Sequence, residues 1–105
     1  MSGDFVTIAR ADEVPPGERM VVRLGRDFVV VFNVGGRFYA LEDRCSHEDV
    51  PLSDGVLHGD TVECVQHGAI FDLATGEDLA PPAVSPVQAF DTRVENGALQ
   101  IRKRR

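Results

Sequence analysis

Apolar residues fall in short blocks along this chain, and none keeps a helical period for more than about a turn. The blocks are "FVTIA" (5–9), "RMVVRL" (19–24), "DFVVVFNV" (27–34), "RFYAL" (37–41), "DTVECV" (60–65), "AIFDL" (69–73), "VQAFDTRVE" (87–95) and "ALQIRK" (98–103). They are rich in Val, Ile, Phe and Tyr, the residues that suit a pleated, half-buried surface, so each predicts a strand. Gly35-Gly36 and Asn96-Gly97 predict hairpins, and "DLATGE" predicts a turn at Thr75-Gly76. Strands this short and this closely joined predict an all-β fold, an antiparallel sandwich or small barrel. "ADEVPPGE" reads as a Pro-rich connection with room for a short helical turn. "APPAVSP" (80–86) reads as a loop, because three of its seven residues are prolines without an amide hydrogen.

The chain has 105 residues, enough for one compact domain and too few for two ordinary ones. It contains no apolar run of membrane-spanning length, and "MSGDFVTIAR" lacks the basic and apolar regions of a secretory signal. The expected location is therefore the cytoplasm. The formal charge of −6 argues against nucleic acid as a partner, since phosphate binding needs a basic surface. That charge is unevenly spread. Leu41 to Leu79 holds ten acidic residues and one arginine, a net −9, whereas the remainder is +3.

Both cysteines lie beside histidines in a chain with only three histidines, a pattern of metal binding rather than of a disulfide framework. The spacing is Cys45-x-His47, sixteen residues, then Cys64-x2-His67. Two loop tips that each carry a thiolate and an imidazole can converge on one metal centre. Two centres suit such a donor set: zinc in a closed Cys2His2 tetrahedron, or a [2Fe–2S] cluster with both cysteines on one iron and both histidines on the other.

"CSH", sixteen residues, then "CVQHG" resembles the motif C-x-H-x(15 to 17)-C-x2-H-G of Rieske proteins, and the strand-rich flanks, the "DLATGE" turn and the Pro-rich loop after it extend the resemblance over the whole chain. The four ligand positions with Gly68 are specific, and the flanks individually are not. Zinc fingers group two cysteines before two histidines and need a recognition helix that this sequence does not offer. The resemblance implies an all-β base with an inserted cluster-binding subdomain at about residues 41–79. It also implies one [2Fe–2S] cluster per chain, with Cys45 and Cys64 on the inner iron and His47 and His67 on the outer one. Histidine in place of two thiolates makes the site less negative, so adding an electron costs less than in an all-cysteine ferredoxin.

The chain departs from the high-potential branch of the family. The two additional cysteines of that branch, which form a disulfide, correspond to Val50 and Gln66. The serine and tyrosine that donate hydrogen bonds to sulfur correspond to Ala69 and Phe71. Losing these donors implies a potential near the low end of the Rieske range, about −150 mV.

The resemblance points to a soluble one-electron carrier between a flavoprotein ferredoxin reductase and a terminal Rieske non-haem iron oxygenase. Other readings are an accessory Rieske protein of a nitrite reductase or iron–sulfur assembly system, and a zinc-bound interaction domain. Catalysis by this chain alone is not expected. A mononuclear iron site needs two histidines and a carboxylate, and only His58 remains. A Cys64/His67 nucleophile pair lacks an evident orienting group or oxyanion site. His58 itself reads as an exposed residue, Asp54-Gly55 and Asp72 as turn chemistry, and "RKRR" at the C-terminus as a solvated tail. Glu48 and Asp49, directly after His47, are the candidate docking charges for a basic partner.

Overall fold

The computed structural model describes residues 4–44, 50–65, 68–80 and 85–104. Among these the elements run β1 (Val6–Arg10), a 3-10 turn (Ala11–Glu13), β2 (Arg19–Leu24), β3 (Asp27–Val34), β4 (Arg37–Glu42), a second 3-10 turn (Leu52–Asp54), β5 (Val56–His58), β6 (Thr61–Glu63), β7 (Ile70–Asp72), β8 (Asp78–Ala80), β9 (Ala89–Glu95) and β10 (Ala98–Lys103). They form a six-stranded sheet in the order β1-β10-β9-β4-β3-β2 and a four-stranded sheet in the order β5-β6-β7-β8. Every described pairing is antiparallel.

The unbroken apolar run of β3 has a simple cause. Successive side chains of a strand point to opposite faces, and both faces of β3 are covered. Val29 and Val31 join Val14, Ala40, Phe90, Leu99 and Ile101 in one core. Val30 and Phe32 join Leu41, Leu52, Val62, Cys64, Ala69, Phe71, Leu73, Val87 and Ala89 in another. The second core takes residues from both sheets, so it is what seats the small sheet on the large one. Among the described residues, Asn33 is the buried polar exception. Its Nδ2 donates to the Val14 carbonyl at 2.7 Å, and its Oδ1 accepts from the Gly36 N–H at 2.8 Å.

All eight sequence-predicted strands are present, each within two residues of its expected ends. β5 and β8 have no counterpart among the sequence-predicted strands. Each has three residues and exists through pairing, β5 with β6 and β8 with β7. Such strands carry too little pattern of their own to be read. The "RKRR" end also differs from a solvated tail. Arg102 and Lys103 belong to β10, and Arg102 Nη2 and Arg104 Nε each lie 2.9 Å from the Asp91 carboxylate. Arg104 Nη1 further donates to the Ala74 carbonyl at 2.8 Å, which ties the chain end to the turn after β7.

Candidate metal centre

Each proposed ligand pair lies next to a segment whose ends the fold holds firmly. The first follows β4. There the Asp43 N–H donates to the Phe28 carbonyl at 2.8 Å, and the Asp43 carboxylate accepts from the Ser53 N–H at 2.6 Å and the Ser53 hydroxyl at 3.0 Å. Asp43 thereby joins the start of the first loop to the turn that ends it. Arg19 of β2 supports the same turn from the base, donating to the carbonyls of Ser53 at 3.0 Å and Gly55 at 2.6 Å while its guanidinium lies over Phe32. Cys45, His47, Glu48 and Asp49 themselves lie outside the described residues.

The second loop leaves β6 and returns into β7. Cys64 is buried, and its N–H donates to the Ala69 carbonyl at 2.7 Å, closing the loop at its base. Gly68 takes a positive φ of 72°, a conformation that glycine adopts without the steric cost of a Cβ. Gln66 and His67 lie outside the described residues. The structure thus describes Cys64 directly and brings the stems of both loops to one apolar cluster, where Leu52 and Val50 from the first meet Cys64 and Ala69 from the second.

One neighbour was not anticipated from sequence. His58 Nε2 and Glu63 Oε1 are 2.8 Å apart across the β5–β6 hairpin, and the other Glu63 oxygen reaches 3.3 Å from where a Cβ on Gly68 would stand. The available signal was Gly59-Asp60, which makes a two-residue turn between His58 and Thr61 and sets that pairing. Among the described residues no three His, Cys, Asp or Glu side chains converge as a separate metal site.

Residues 4–91 match the family described as the Rieske [2Fe-2S] domain. The chain belongs to the Rieske family. This Rieske chain is 43% identical over 90 residues to the 3-phenylpropionate/cinnamic acid dioxygenase ferredoxin subunit of Escherichia coli (strain K12), covering 85% of this chain and 84% of that protein. It superposes with a TM-score of 0.89 on the ferredoxin of carbazole 1,9a-dioxygenase from Nocardioides aromaticivorans IC177, at 32% identity, 97% of this chain and 100% of that one. A chain in a complex of reduced oxygenase and oxidized ferredoxin of carbazole 1,9a-dioxygenase matches with a TM-score of 0.88 and 34% identity, covering 96% of both chains.

The cofactor of this domain is a [2Fe–2S] cluster. The described part of the donor set fits it. Cys64 presents a soft thiol within an apolar cluster, 1% exposed, where an iron–sulfur thiolate is shielded from water. Ala69 and Phe71 are fully buried and bring no hydroxyl to the loop.

Proposed function

We propose that this chain is a one-electron carrier that receives electrons from a flavoprotein reductase and delivers them to a terminal oxygenase, in the cytoplasm. Cys45 and Cys64 hold one iron, His47 and His67 hold the other, and residues 41–79 act as the cluster-binding subdomain. The observation that carries the reading is the 43% identity to a dioxygenase ferredoxin subunit across most of both chains.

When bound, the cluster takes up and releases one electron. The protein contributes the environment. Cys64 is kept dry by Leu52, Val62 and Phe71 in the shared core, and the Cys64–Ala69 hydrogen bond fixes the loop that carries His67. Ala69 and Phe71 supply no hydroxyl hydrogen bond to the sulfurs, which leaves the reduced state less stabilised and the potential low. No helix among the described residues is long and apolar enough to cross a membrane.

Purified protein should be red-brown, with about two irons and two sulfides per chain. His67→Cys should lose the Rieske spectrum and lower the potential of any cluster that assembles, because a third thiolate makes the site more negative. Stoichiometric zinc without visible absorption, in protein from iron-replete cells, would overturn the reading. So would an unchanged spectrum and midpoint in His67→Cys.

A further inference from the structure

We propose that the carboxylate of Glu63 keeps the reduction potential of the centre low, with His58 as the positioning residue that holds it in place; this rests on the cluster assignment proposed above. The pair is built by the β5–β6 hairpin. Val56 lies opposite Glu63 and His58 opposite Thr61, so His58 and Glu63 are diagonal neighbours on one face of the small sheet. Their side chains meet at 2.8 Å between His58 Nε2 and Glu63 Oε1. Alternation along the chain sends Cys64 inward to the core and Glu63 outward.

The second carboxylate oxygen is aimed at the return leg of the cluster loop. It lies 3.3 Å from where a Cβ on Gly68 would stand, and glycine leaves that space open. Glu63 directly precedes Cys64, and Gly68 directly follows His67. A carboxylate held there sets a negative charge at the two ends of the second loop, next to Cys64 in sequence and beside Gly68 in space. An added electron is then repelled, which favours the oxidised state. His58 matters because the carboxylate is partly exposed, with 40% of the side chain accessible. Without the imidazole it can turn toward solvent, where distance and salt weaken its effect.

The test uses holoprotein in a redox titration followed by visible circular dichroism, at pH 8 and one ionic strength. Glu63→Gln keeps the shape and removes the charge, and its midpoint should rise above that of the parent. His58→Ala should move the midpoint the same way by less. The double variant should match Glu63→Gln alone, since the two residues act as one unit. Asp60→Asn removes one charge from the far end of the same hairpin and should shift the midpoint least. A Glu63→Gln midpoint displaced no further than that of Asp60→Asn overturns the proposal, as do independent, additive shifts from His58→Ala and Glu63→Gln. If Glu63→Gln does not retain its cluster, His58→Ala decides, and an unmoved midpoint there overturns it. Parent protein without a [2Fe–2S] spectrum would instead overturn the cluster assignment, and this proposal with it, before any variant is compared.

Discussion

Gly76 and Gly97 share a backbone conformation, with φ of 78° and 79°, and differ in what surrounds them. A Cβ on Gly76 would run into the Val87 carbonyl oxygen, and the Val87 N–H donates to the Gly76 carbonyl at 2.9 Å, so that backbone cannot easily retreat. A Cβ on Gly97 would meet nothing within 4 Å. Gly97→Ala should therefore cost only the left-handed penalty, about 1–2 kcal/mol. Gly76→Ala should add overpacking to it, about 2–5 kcal/mol in all. Urea unfolding of the two variants against the parent checks the order, and equal losses would show that the contact with Val87 is readily relieved. The turn at Thr75-Gly76 was legible as a turn. That its glycine abuts the segment entering β9 was not, because the contact joins residues distant in sequence.

Among the elements, β9 and β10 carry the fastening between the chain end and the small sheet. The hydrogen bond from Arg102 holds the Asp91 carboxyl below its usual value, with Arg104 adding to the effect and burial opposing it. A carboxylate whose folded value is lowered stabilises the protein above the ordinary aspartate range, and that contribution is lost as pH falls through the lowered value. Asp91→Asn should be less stable than the parent at pH 7, and the gap should narrow as the solution is acidified through the aspartate range. Denaturation at a series of pH values checks this, and a gap that is independent of pH would exclude the carboxylate charge as its cause. Arg19 fastens the other side. Arg19→Ala should speed amide hydrogen exchange in the Leu52–Asp54 turn and at Gly55 after it, since the Ser53 and Gly55 carbonyls lose their donor.

At the scale of the whole molecule, the segment from Leu41 to Leu79 carries −9 against +3 for the remainder, so the acidic excess lies in the part of the chain that includes both Cys/His pairs. Oppositely charged partners are steered together over distances that salt shortens, so electron transfer with a basic partner should slow as ionic strength rises. Replacing Glu48 and Asp49 with lysine should weaken that dependence and leave the cluster spectrum intact. Stopped-flow reduction across a salt series checks it, and rates indifferent to both salt and charge reversal would exclude steering through these residues.

The absence of a helical period and the β-branched and aromatic content of the strands settled the all-β class from sequence, because both are local properties, and a run such as "DFVVVFNV" needs cover on both faces. The Cys/His spacing likewise narrowed the chemistry to a metal centre, zinc or a [2Fe–2S] cluster, since a metal demands particular donor atoms whatever fold supplies them, and the resemblance to the Rieske motif chose between the two. Sequence could not show which core each side of β3 faces, nor that three-residue β5 and β8 complete a second sheet, nor that Arg104 reaches Ala74. It also could not show that Glu63 is turned toward Gly68. These features depend on pairing and packing between segments. No single segment carries the information, because the stabilising contact exists only once both partners are in place.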